Sequence, residues 1–93
     1  MDKVLVSVAE IAAKFNIEKV ILFGSRARGD NSSVSDYDIA IYGSGLSANE
    51  KAAFSLEIED IETLKKFDIV FIDGSVSQEL IKNVMNDGVI IYE

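Results

Sequence analysis

Two aspartates, Asp36 and Asp38, stand two residues apart in Asp36-Tyr37-Asp38-Ile39-Ala40-Ile41-Tyr42, a β-branched and aromatic run that reads as a strand. Alternation puts Asp36, Asp38 and Ala40 on one face and Tyr37, Ile39 and Ile41 on the other. At that spacing the two carboxylates can share a divalent cation or bracket a pair of cations; with nothing positive between them they repel. Asp is depleted in strands, so an Asp-x-Asp set among apolar residues is poorly explained by packing. Taken alone such a pair is more often a solvated strand opening, because short motifs are weak.

The surrounding residues shift that balance. Gly24 lets a phosphate approach the backbone, and Ser25 adds a hydroxyl and an N–H at the start of a helical turn, where orphan amides face anions. Arg26 and Arg28 follow, and either guanidinium could neutralise phosphate oxygens. Asp68 and Asp73 are the candidates for a third acid. They flank one strand at an odd separation and face opposite sides if it is regular, so only one can join the pair. Asp68, at the start of that strand, is the better placed.

Composition narrows the chemistry further. The chain has no cysteine and no histidine, which removes thiol catalysis, thiolate metal sites and the usual neutral-pH base. Chemistry must rest on carboxylates, hydroxyls, Lys or Arg. A formal charge of −7 argues against a surface that holds long nucleic acid, though not against a mononucleotide site. Hydrophobic content of 48% with 27% charged residues fits one folded domain spanning residues 1–93. The N-terminal run MDKVLVSVAEIAAKF interrupts its apolar pattern with charges and reads as neither a secretory h-region nor a membrane span. A cytoplasmic location is the resulting expectation.

The elements that must position these residues follow from periodicity. Val4, Val8, Ala12 and Phe15 predict a helix to about Phe15, capped by Asp2. Lys19-Val20-Ile21-Leu22-Phe23, ending at Gly24, predicts a buried strand, followed by a loop over 25–35 with a helical turn near Arg26-Ala27-Arg28. After the strand of residues 36–42, Gly43-Ser44-Gly45 closes, and a Ser47-x-x-Glu50 capping box opens a helix expected to run to about Lys66. Ile69 to Ile72 form a strand after Asp68. Ser75-x-x-Gln78 is expected to cap a last helix carrying Leu80, Ile81, Val84 and Met85, which Gly88 ends before a strand at Val89-Ile90-Ile91-Tyr92.

The order α-β-β-α-β-α-β predicts an α/β (α+β) fold, a small mixed sheet of about four strands covered by helices. A helical crossover makes the second and third strands parallel, whereas the shorter link between the first two makes them antiparallel. Gly24-Ser25 then meets Asp36, Asp38 and Asp68 at one edge of the sheet.

With those residues in place, Leu22-Phe23-Gly24-Ser25-Arg26-Ala27-Arg28-Gly29 and then Asp36-Tyr37-Asp38 resembles the signature of the DNA polymerase β-like nucleotidyltransferases: Gly-Ser, ten residues, Asp-x-Asp. The particular likeness is to the minimal nucleotidyltransferase (MNT) group found with HEPN-domain proteins, and it covers nearly the whole chain. The resemblance implies a polymerase β-like palm and transfer of a nucleoside monophosphate, AMP from ATP above all, to a hydroxyl with two Mg²⁺ ions. It assigns metal binding and catalysis to Asp36, Asp38 and Asp68, with Asp68 helping to activate the acceptor, and the triphosphate turn to Gly24 and Ser25. It also implies a HEPN protein as partner and acceptor in a toxin–antitoxin pair, with the acceptor-binding half expected on that partner. Two other readings stay open: an antitoxin that acts by occlusion alone, and small-molecule nucleotidyl transfer with a separate acceptor subunit.

Overall fold

The structure, a computed structural model, describes residues 2–24, 36–63, 65–72 and 76–93. Helix α1 (Lys3–Ala12) starts where Asp2 Oδ1 accepts the Val4 and Leu5 amides at 2.7 and 3.2 Å, as expected of its cap. It ends three residues before Phe15 and continues as a turn. Strand β1 (Lys19–Phe23) is buried along most of its length. Strand β2 (Tyr37–Tyr42) begins one residue after Asp36.

Helix α2 (Ala48–Glu59) opens on the expected capping box: Ser47 Oγ accepts from Glu50 N at 3.1 Å, and Glu50 Oε1 accepts from Ser47 N at 3.1 Å. It ends at Glu59, not near Lys66. Its last turn carries Glu57 and Glu59 with Asp60 at the C-cap and no basic residue, so like charge meets the negative end of the helix dipole. Ile61 N then bonds Ile58 O at 3.1 Å, tightening the chain, and Ile61 turns onto the core. Strand β3 (Phe67–Ile72) is longer than expected and takes Asp68 inside it.

Helix α3 (Gln78–Asp87) is capped by Ser77, whose Oγ accepts from Leu80 N at 3.2 Å. The cap is therefore Ser77 rather than Ser75, which lies outside the described residues, and Gly88 closes the helix as expected. Strand β4 (Val89–Tyr92) completes the sheet.

The strand order is β3-β2-β1-β4, with β1 antiparallel to β2 and β4, and β2 parallel to β3. Both pairings deduced from connection length hold. Alternation gives the sheet two apolar faces. Val20, Leu22, Tyr37, Ile39 and Ile41 pack under α1 and α2 with Leu5, Val8, Ala12, Phe54 and Ile58, while Ile21, Phe23 and Ala40 pack against Val84 of α3. The first face carries the larger core, centred on Phe54, whose ring meets Phe15 and Phe71 edge-on at 5.5 and 6.2 Å.

Candidate active site

The register of the sheet decides which acidic residues can act together. Asp38 pairs with Asp68 across the parallel β2–β3 ladder, and with Phe23 across the antiparallel β1–β2 ladder. The two aspartates thus leave the same face of the sheet from directly opposite positions. Asp38 is half-buried and Asp68 exposed, so the pair sits at the margin of the core with access to solvent. Ala40, Val70 and Ile72 continue that face into the apolar patch under α3.

Gly24 follows β1 at φ +77°, a left-handed conformation that strains any L side chain. A Cβ at this position would collide with Asp38 Oδ2 and come within 3.1 Å of Cγ. The glycine therefore has two reasons to be there: the turn needs its conformation, and the Asp38 carboxylate lies against its backbone.

The sheet brings Gly24, Asp38 and Asp68 to one end, as expected. Asp36 is exposed immediately before β2, and among the described residues no three acidic side chains are grouped closely enough to hold a metal ion. The expected trio is present as an in-register pair with Asp36 beside it in sequence. Ser25, Arg26, Arg28 and the alternative acid Asp73 lie outside the described residues. An all-oxygen pair still suits Mg²⁺, which is commonly held by one or two carboxylates together with substrate phosphates.

Sequence reasoning missed what anchors Asp36-Tyr37-Asp38 from beneath. The Tyr37 side chain is 4% exposed, and its hydroxyl donates to Asp2 Oδ2 at 2.7 Å. Its ring stacks on Phe67 at 5.3 Å and 20°, and its amide donates to Lys66 O at 2.9 Å. Asp2 was legible as a helix cap, but nothing local in the sequence marks a bond across 35 positions.

A recess of about 410 Å³, lined in part by Glu18, Tyr42, Ser44, Lys51 and Phe71, lies at the far end of β2. That is the opposite end of the strand from Asp38, so this recess and the carboxylate pair lie in different places. The carboxylate pair is the better guide, because a metal-nucleotide site at an open sheet edge need not be a deep cavity. No helix among the described residues is long and apolar enough to cross a membrane.

A four-stranded mixed sheet with an in-register acid pair and a glycine turn at one edge defines a small α/β palm domain. The family described as polymerase beta, nucleotidyltransferase, matches residues 7–93. The chain belongs to that family. No curated protein matches it. Among solved structures, a chain of a toxin–antitoxin with AMP-PNP superposes with TM-score 0.75 at 20% identity, covering 94% of this chain and 71% of the other. A chain from the tri-AMPylated Shewanella oneidensis HEPN toxin in complex with MNT antitoxin gives 0.68 at 17%, covering 95% and 68%. A candidate nucleotidyltransferase from Sulfolobus solfataricus gives 0.54 at 23%, covering 97% and 87%. The fold is that of MNT antitoxins, as the signature implied.

Proposed function

We propose that this domain is a Mg²⁺-dependent nucleotidyltransferase that moves AMP from ATP to a hydroxyl of a partner protein, acting as the antitoxin of a HEPN/MNT pair. The observation that carries the reading is the in-register pairing of Asp38 with Asp68 while Gly24 lies against the Asp38 carboxylate. The complexes with AMP-PNP and with a tri-AMPylated HEPN toxin support the choice of nucleotide and partner.

In this proposal Asp36 and Asp38 would hold two Mg²⁺ ions, and Asp68 would join them and help to activate the acceptor. When bound, the ions supply charge neutralisation on the phosphates and lower the pKa of the attacking hydroxyl. The chain's residues orient that chemistry. Asp38 and Asp68 fix the line between donor and acceptor, Gly24 and Ser25 present backbone and hydroxyl to the phosphates, and Arg26 or Arg28 offsets their remaining charge.

The acceptor oxygen attacks the α-phosphorus, pyrophosphate leaves, and the acceptor proton passes to a carboxylate or solvent. No histidine is required, consistent with a chain that has none.

The test is incubation with Mg²⁺, α-labelled ATP and the co-purifying partner, read as a mass increase on the partner. Asp36→Asn with Asp38→Asn should abolish labelling and leave the complex intact. Labelling that survives both substitutions would refute the metal assignment. A complex that neutralises its partner with no mass change would favour occlusion, and labelling of a small hydroxyl compound in place of the partner would favour the small-molecule reading.

A further inference from the structure

We propose that Asp2 and Tyr37 are positioning residues for the carboxylate pair: their hydrogen bond locks the start of β2 so that Asp38 stays opposite Asp68. This rests on the reading of Asp38 and Asp68 as metal ligands. Both aspartates sit at the beginnings of their strands, where ladder hydrogen bonds stop and fraying is easiest. A one-residue slip of β2 would carry Asp38 to the core face, so the site depends on what pins that end.

The pin is Tyr37. On the face opposite the acids, Tyr37 and Phe67 are register partners just as Asp38 and Asp68 are, and their rings stack. The Tyr37 amide adds a bond to Lys66 O, and its hydroxyl reaches Asp2 Oδ2 at 2.7 Å. The same Asp2 carboxylate holds the first turn of α1 through Oδ1. One aspartate therefore couples the N-terminus of α1, through a buried tyrosine, to the metal-facing strand. A ring stack alone leaves the tyrosine free to slide along Phe67. The hydroxyl bond to a carboxylate, being directional and charge-assisted, fixes its distance from the helix.

The experiment measures Mn²⁺ binding to the whole chain in the presence of AMP-PNP, by electron paramagnetic resonance, with thermal melts in parallel. Tyr37→Phe keeps the stack and removes only the hydroxyl. Asp2→Ser keeps a capping oxygen but is too short to reach Tyr37. Each should weaken Mn²⁺ binding by roughly three- to ten-fold, the scale of losing one hydrogen bond, and the double variant should be no weaker than either alone. Val8→Ala, in the core and away from the acids, should lower the melting temperature yet leave Mn²⁺ affinity unchanged.

Affinities of Tyr37→Phe and Asp2→Ser within two-fold of the parent would overturn the positioning role while leaving the site standing. An equal loss in Val8→Ala would overturn it too, by showing that general destabilisation explains the effect. A parent chain that binds no Mn²⁺ would remove the site itself, and the positioning role with it.

Discussion

Replacing Gly24 by alanine tests the contact on which the candidate site turns, and Gly45 supplies the control. Both glycines have left-handed backbones, at φ +77° and +82°, but a Cβ at Gly45 meets nothing within 4 Å, whereas one at Gly24 meets the Asp38 carboxylate. The backbone term is common to both. A left-handed alanine costs about 1–2 kcal/mol, partly offset by the lower entropy of the unfolded chain, for a net loss of about 1 kcal/mol. Gly24→Ala carries in addition the cost of displacing Asp38, about 1–3 kcal/mol by analogy with overpacked positions. At about 4–8 °C per kcal/mol for a domain of this size, Gly45→Ala should melt about 4–8 °C below the parent and Gly24→Ala at least about 8 °C below it. Thermal melts by circular dichroism give both values, and calorimetry with Mn²⁺ and AMP-PNP should show weakened binding only for Gly24→Ala. Equal melting losses with equal metal binding would refute the reasoning, because the Asp38 contact would then contribute nothing.

Three further outcomes follow from the packing. Phe54 is fully buried between Phe15 and Phe71, so Phe54→Ala should cost about 3–5 kcal/mol, read as a lower urea midpoint; a loss under 1 kcal/mol would contradict the core assignment. The Tyr42 hydroxyl is buried with no hydrogen-bond partner among the described residues, so Tyr42→Phe should hold or raise stability by about 1 kcal/mol, and a clear loss in the same urea experiment would reveal a partner. Asp68 stands directly opposite Asp38, so Asp68→Asn should relieve about 0.2–1 kcal/mol of repulsion in chelator. The same substitution should erase the rise in melting temperature produced by Mg²⁺ with AMP-PNP; a rise that persists would exclude Asp68 as a ligand.

Much of the fold was legible because its signals are local. The strand β1 stands out as an unbroken apolar run ending at a glycine, and the capping residues Asp2, Ser47 and Glu50 act within their own first turns. Connection length alone gave the two strand pairings. The errors fall where local signals compete or are silent. Residues 60–66 contain no Gly or Pro to stop a helix, yet the acidic end of α2 and the pull of Ile61 onto the core stop it at Glu59. Ser75 reads as the cap because Gln78 stands three residues on, yet Ser77 holds that place, its Oγ accepting from Leu80 N.

The candidate site divides in the same way. The sequence by itself determined its ingredients: Gly24 and the Asp-x-Asp spacing, a pattern specific enough to place the chain in its family, and the absence of His and Cys, which leaves oxygen ligands and cations to do the chemistry. It could order those residues along the chain, because strand alternation and loop chemistry depend on near neighbours. Only the tertiary structure decided that Asp38 meets Asp68 in register, that the Asp38 carboxylate lies against Gly24, and that Tyr37 is tied to Asp2. Those contacts join residues 14 to 35 positions apart, and sheet register and helix docking set them through burial of the whole core, which no local segment encodes.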